Sequence, residues 1–189
     1  MVYIAFDIDG TLYDCSPIVA KAFEEGIDEF LFQYPTLNLS KPSTDEIMNL
    51  VGIPVNDIFA LLFPNISQEL LNKLNDYCTE KLVNLVLHRK GVLLKGVKET
   101  IPILFQKGYG LLTASNGRKN YIKAVLDAYG LTQYFTNIMT LEDCKVSNKT
   151  ELLAYYKRTL SNCEIIIMVG DRKNDMTAAL ENGLPFIAC

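Results

Sequence analysis

Asp7 and Asp9 flank a single isoleucine at the end of the apolar run Tyr3-Ile4-Ala5-Phe6, and Gly10-Thr11-Leu12 follow them directly. Two carboxylates at a strand tip are a place for chemistry, because a charge pair there is costly unless something compensates it. Strand alternation over Val2 to Ile8 sends both acids to one side of the extended chain, and Gly10 lets the backbone turn without a Cβ clash. Three further groups recur in the same setting. Ser115-Asn116-Gly117 follows the apolar run Gly110-Leu-Leu-Thr-Ala, Gly170-Asp171-Arg172-Lys173-Asn174-Asp175 follows Ile165-Ile-Ile-Met-Val, and Lys149 stands at a helix start after an irregular polar stretch. Asp7, Asp9, Asp171 and Asp175 together would repel one another by several kcal/mol per close pair unless a cation sits among them. All-oxygen ligands and the lack of a His or Cys cluster favour Mg2+, which keeps several waters and bridges carboxylates to phosphate. Ser115 offers a hydroxyl, the turn at Asn116 and Gly117 opens a helix whose first N–H groups can face an anion, and Lys149 offers an ammonium. Such a site suits a phosphate ester.

The elements that must position these residues read as α/β. Beyond Gly96, helices are predicted at Val97–Lys107, Lys119–Tyr129, Lys149–Leu160 and Asn174–Glu181, with strands at Tyr109–Ala114, Phe135–Thr140, Ile165–Val169 and Pro185–Ala188. Alternation of this kind implies a parallel sheet whose active edge lies at the carboxyl ends of the strands. From about Ser16 to Arg89 the pattern is helical throughout. Ser43-Thr44-Asp45-Glu46 and Ser67-Gln68-Glu69 look like capped helix starts, and Gly52-Ile53-Pro54 like a stop and turn. This stretch is read as an insert of about four helices. Residues 1–14 and 92–189 then form a discontinuous Rossmann-like three-layer core with a central parallel sheet, and residues 15–91 a small α-helical cap domain.

Composition sets the bounds. The 189 residues are 49% hydrophobic and 21% charged, with a formal net charge of -4, which disfavours a nucleic acid polymer as partner. Five cysteines without a Cys-x-x-Cys support neither a disulfide framework nor a zinc knuckle and fit a reducing, cytoplasmic setting. No apolar run reaches a membrane span, and no leader is read at the start, so neither membrane insertion nor export is expected. A monomer and a homodimer both remain open. His88, the lone histidine, reads as a surface or hinge residue and Asp14 as a hinge or cap residue; Asp14 and Gly52 are weighed as possible substrate contacts of the insert.

In their order, Asp7-Ile8-Asp9-Gly10-Thr11-Leu12, Leu111-Leu-Thr-Ala-Ser115-Asn116-Gly117, Lys149 and Gly170-Asp171-x-x-x-Asp175 resemble the four motifs of the haloacid dehalogenase superfamily, and the insert is similar to the helical cap of its phosphoglycolate phosphatase-like and β-phosphoglucomutase-like branch. The resemblance implies a phosphatase acting on a small phosphorylated metabolite through an aspartyl-phosphate. It makes Asp7 the nucleophile and Asp9 the acid and then the base. Mg2+ would be held by Asp7, the Asp9 main-chain carbonyl and Asp171, with Asp175 close by. Ser115, Asn116, Gly117 and Lys149 would hold the phosphoryl oxygens. Dehalogenases lack an acid at the position of Asp9 and ion-pumping ATPases carry threonine there, so Asp9 suits a phosphatase or a phosphomutase. The alternatives kept open are a β-phosphoglucomutase-like phosphotransferase and a catalytically silent phosphate-binding regulator. Lys149 is followed by Thr150 instead of the common proline, with Lys145 nearby as a rival, and Thr113 competes with Ser115. Relatives commonly continue into another helix where this chain ends, at Cys189, so a shortened sequence and a minimal core are both open.

Overall fold

In a computed structural model, which describes residues 1–50, 53 and 55–189, the chain divides into two compact units, 1–14 with 92–189, and 15–91. Gly52 and Pro54, read above as part of a turn, lie outside the described residues.

The first unit is built on a five-stranded sheet of β1 (Val2–Phe6), β4 (Gly110–Thr113), β5 (Phe135–Asn137), β6 (Ile165–Gly170) and β7 (Phe186–Ala188), ordered β5-β4-β1-β6-β7. Every pair in it is parallel. The central strand is buried almost throughout, as expected of a parallel strand covered on both faces. Its register places the chemistry: Phe6 faces Thr113 on one side and Val169 on the other. Asp7, Ala114 and Gly170, the last residue of β6, therefore lie at one level of the sheet edge. On one face, Tyr3, Ala5, Leu112, Ile166 and Met168 form a core with Leu152, Leu153 and Tyr156 of helix α8 (Lys149–Thr159) and Ala178 and Ala179 of α9 (Lys173–Glu181). Alternation turns Ile4, Phe6 and Leu111 to the opposite face, the side on which α5 (Val97–Gln106) contacts β4. Helix α6 (Lys119–Ala128) completes the unit with a buried stripe of Tyr121, Ile122, Val125 and Leu126.

Two short pieces carry no strong sequence signal. Tyr13–Asp14 (β2) pairs antiparallel with Val92–Leu93 (β3) where the chain leaves and re-enters this unit, so Asp14 is a strand residue. Leu141–Cys144 (α7) is a single turn capped by Thr140, whose hydroxyl accepts the Asp143 N–H.

The second unit holds α1 (Ser16–Gln33), α2 (Thr44–Leu50), α3 (Val55–Leu62) and α4 (Gln68–Leu87). The expected caps form. The Ser43 hydroxyl accepts the Glu46 N–H at 3.3 Å while Glu46 accepts the Ser43 N–H at 2.8 Å, and Ser67 caps Leu70. Phe23, Ile27, Phe30, Ile47, Phe59, Leu74 and Cys78 are its buried core. A Cβ on Gly26 would stand 2.6 Å from Cys78 Cα, so α1 and α4 cross in close contact because residue 26 has no side chain. His88 ends α4 and is exposed, its Nδ1 2.8 Å from the Asn84 carbonyl oxygen. Among the described residues no helix is long and apolar enough to cross a membrane.

Candidate active site

β1 stops at Phe6, two residues short of the predicted strand end. Asp7 still donates its N–H to the Val169 carbonyl at 3.0 Å, but the Ile8 carbonyl then accepts the N–H groups of Thr11, Leu12 and Tyr13. The chain has become a tight turn, closed by Gly10 at φ +89°. Strand alternation therefore does not govern Asp9. The Asp7 carboxyl is buried, whereas the Asp9 carboxyl lies in a half-exposed turn and accepts a hydrogen bond from the Tyr121 hydroxyl.

Lys149 sits between two of the acids. Its Nζ is 2.7 Å from Asp7 Oδ1 and 2.5 Å from Asp175 Oδ1, with all three side chains at most 5% exposed. The second Asp175 oxygen accepts the Arg172 N–H at 3.1 Å, so Asp175 also caps the helix that carries it. Burial, aided by the charges of Asp175 and Asp9, pushes the Asp7 carboxyl up to about 7 against the pull of Lys149. Burial alone would push the Lys149 ammonium down, but the two carboxylates hold it above its ordinary value. Lys145 is exposed and in the left-handed conformation at the end of α7.

Carboxylate oxygens of Asp7, Asp171 and Asp175 lie within 4.8 Å of one another. Of the four acids grouped by sequence, the side chains of three meet; Asp9's is turned to Tyr121. Two glycines permit the grouping. A Cβ on Gly10 would stand 2.2 Å from Asp171 Oδ2, and one on Gly170 would stand 2.5 Å from the Asp175 side chain. Three clustered carboxylates against the Lys149 ammonium and the Arg172 guanidinium, whose Nε is 3.7 Å from Asp171 Oδ2, still leave a negative excess with oxygen donors only, which fits a hard divalent cation.

Beside this group, the Ala114 N–H continues the ladder to the Phe6 carbonyl at 2.7 Å, and buried Ser115 follows. Its hydroxyl accepts the Gly117 N–H at 3.1 Å, fixing the turn before α6. The Thr113 hydroxyl is engaged by the Met139 carbonyl at 3.0 Å. Tyr156 of α8 donates to the Thr113 carbonyl at 2.9 Å, tying the helix that carries Lys149 to the strand that leads into Ser115. Thr150, in place of the expected proline, has a structural use: its hydroxyl donates to Glu181 at 3.0 Å and its carbonyl accepts the Asn182 amide at 3.0 Å, joining α8 to the end of α9. Tyr121, Tyr156 and Thr150 escaped sequence reasoning because each acts through a partner at least 31 residues away.

The family model described as haloacid dehalogenase-like hydrolase matches residues 4–189. The chain is 26% identical over 188 residues to a phosphoglycolate phosphatase of Vibrio parahaemolyticus, covering 95% of this chain and 79% of that one. It is 27% identical over 184 residues to the pyrophosphatase PpaX of Halalkalibacterium halodurans, covering 96% and 80%. Among solved structures, one described as a predicted phosphatase from Clostridium acetobutylicum superposes with a TM-score of 0.76 at 25% identity, covering 98% of this chain and 83% of that one.

Proposed function

The chain belongs to the haloacid dehalogenase-like hydrolases, and from that membership we propose an Mg2+-dependent phosphatase that hydrolyses a small phosphorylated metabolite through an aspartyl-phosphate on Asp7. The observation that carries this reading is the buried Asp7 carboxyl paired with Lys149 and grouped with Asp171 and Asp175. The names of relatives, a phosphoglycolate phosphatase and a pyrophosphatase, support phosphate as the group removed.

In the first step an Asp7 oxygen bonds to phosphorus as the bond to the leaving oxygen breaks, and Asp9 gives that oxygen its proton. In the second, a water oxygen bonds to phosphorus, its proton passes to Asp9, and the Asp7–phosphorus bond breaks to return the carboxylate and release inorganic phosphate. Mg2+, held by Asp7, the Asp9 main-chain carbonyl and Asp171 with Asp175 in reach, would neutralise charge on the phosphoryl oxygens. Ser115, the Asn116 N–H and Lys149 orient the remaining oxygens, while Gly117, whose N–H is taken by the Ser115 hydroxyl, serves by holding that hydroxyl and the turn in place. Lys149 also keeps Asp7 charged enough to attack. The helical unit, 15–91, is assigned the part of a cap that chooses the substrate.

Phosphate release from a panel of phosphomonoesters that includes phosphoglycolate, alongside pyrophosphate, tests the proposal. Release is expected with Mg2+ and not with excess EDTA, and Asp7→Asn is expected to lower it at least about 1,000-fold while the protein stays folded. No release from any member by the folded protein, or an Asp7→Asn variant as active as the parent, would sink it. Sugar 1-phosphate to 6-phosphate conversion without net release would point to the mutase instead.

A further inference from the structure

Asp9 has a demanding task for a residue in a half-exposed turn. A group that gives a proton and later takes one must sit within hydrogen-bond reach of the reacting oxygen, and a misplacement of about 1 Å can cost on the order of 100-fold in rate. Its side chain projects from the Ile8–Tyr13 turn, beyond the end of β1 at Phe6.

We propose that Tyr121 is the positioning residue for this acid/base: its hydroxyl, donated to Asp9 Oδ1, holds the carboxyl in its working orientation. The inference rests on the phosphatase reading. Tyr121 is buried in the first turn of α6, so its own orientation is set by packing. Its ring lies against the phosphate-facing turn. A Cβ on Gly117 would stand 3.0 Å from Tyr121 Cδ1, so the ring occupies the space that a side chain at 117 would need. One residue therefore touches both halves of the site, the turn before α6 through its ring and the acid/base through its hydroxyl. The start of α6 is itself anchored, with Lys119 Nζ 2.6 Å from Asp143 Oδ1 and the Ile122 N–H donating to the Arg118 carbonyl at 3.0 Å. A tyrosine held at both ends transmits the rigidity of the helix to a loop carboxylate.

The proposal has a readout that loss of packing would not give. Protonation of the leaving oxygen matters for a poor leaving group and hardly at all for a good one. kcat/KM is measured with Mg2+ for benzyl phosphate, whose alcohol leaves badly, and for p-nitrophenyl phosphate, whose phenolate leaves well. Tyr121→Phe is expected to lower kcat/KM about 10-fold or more on benzyl phosphate and less than about 3-fold on p-nitrophenyl phosphate. Tyr121→Met, which fills the space without ring or hydroxyl, is expected to show the same split, and thermal melts establish that each variant is folded. Equal losses on the two substrates, or no loss on either in a folded Tyr121→Phe protein, would overturn the assignment while leaving the phosphatase intact. A folded parent inactive on both esters and on every member of the phosphoester panel above would overturn the phosphatase reading with it.

Discussion

At the residue scale, Lys149 is the group on which the site's electrostatics turn. Its ammonium is buried between Asp7 and Asp175, and removing one partner of a buried charge pair typically costs about 3–5 kcal/mol, because the other is left without compensation. Lys149→Met is therefore expected to lower stability by about that much in metal-free buffer at pH 8. The loss should shrink at pH 5, where Asp7 takes up a proton instead. Melting curves at the two pH values check this, and an equal loss at both would show that packing, not charge, is what Lys149 supplies. Asp7, Asp171, Asp175 and Lys149 were visible as candidates because each follows a strand or opens a helix in a fixed order. Tyr121 was not. Its sequence neighbourhood shows only an apolar stripe, and its link to Asp9 spans 112 positions, a distance across which local pattern carries nothing.

At the scale of elements, apolar runs and caps predicted the five main strands and the longer helices to within a few residues, since burial on both faces of a parallel sheet and capped amphipathic helices leave strong local marks. The pieces that went unread are those that exist through pairing or a single turn. Tyr13–Asp14 is a strand only because Val92–Leu93 lies beside it, and Leu141–Cys144 is too short for any period to show. The end of β1 was placed too late for a related reason: Ile8 is buried and apolar, but its carbonyl is claimed by three amides of the following turn. Within the helical unit, the contact of α1 with α4 rests on a residue that sequence alone makes look unfavourable, a glycine inside a helix. Gly26→Ala adds helix propensity yet forces a methyl to within 2.6 Å of the Cys78 backbone. A net destabilisation of about 1–3 kcal/mol is expected from overpacking, read by urea unfolding. A more stable variant would mean that the crossing relaxes without cost.

For the molecule as a whole, stability, metal and pH are linked through Asp7. Its carboxyl moves from an ordinary 3.8 to about 7 on folding, so the folded chain holds that proton more tightly than the unfolded chain does. Its contribution is fully present below about pH 4 and is lost as pH rises through 7, a swing of roughly 4 kcal/mol in the absence of metal. Asp143 runs the other way. Its hydrogen bonds from Lys119 and Thr140 outweigh burial and hold it below its ordinary value, so its contribution is present above about 3.8 and fades only in acid. Between pH 5 and 8 the Asp7 effect should therefore dominate. The melting temperature in EDTA is expected to fall across that range. Saturating Mg2+ should raise it more at pH 8 than at pH 5, because the cation takes the ionised ligands. A melting temperature in EDTA that climbs from pH 5 to 8 would refute this linkage.

The antiparallel pair of Tyr13–Asp14 with Val92–Leu93 bears on how such a chain can be assembled and altered. It brings the two ends of a long excursion to neighbouring positions on a ladder, so the chain leaves and returns as a closed loop, whatever that loop contains. Closure entropy grows with the logarithm of loop length, roughly 0.6 kcal/mol for each doubling. Lengthening, shortening or exchanging the excursion thus perturbs the sheet very little, provided both ends still reach the ladder. The two-residue strands make a seam at which one chain can carry separate evolutionary histories, conserving its chemistry on one side while the other side is free to diversify.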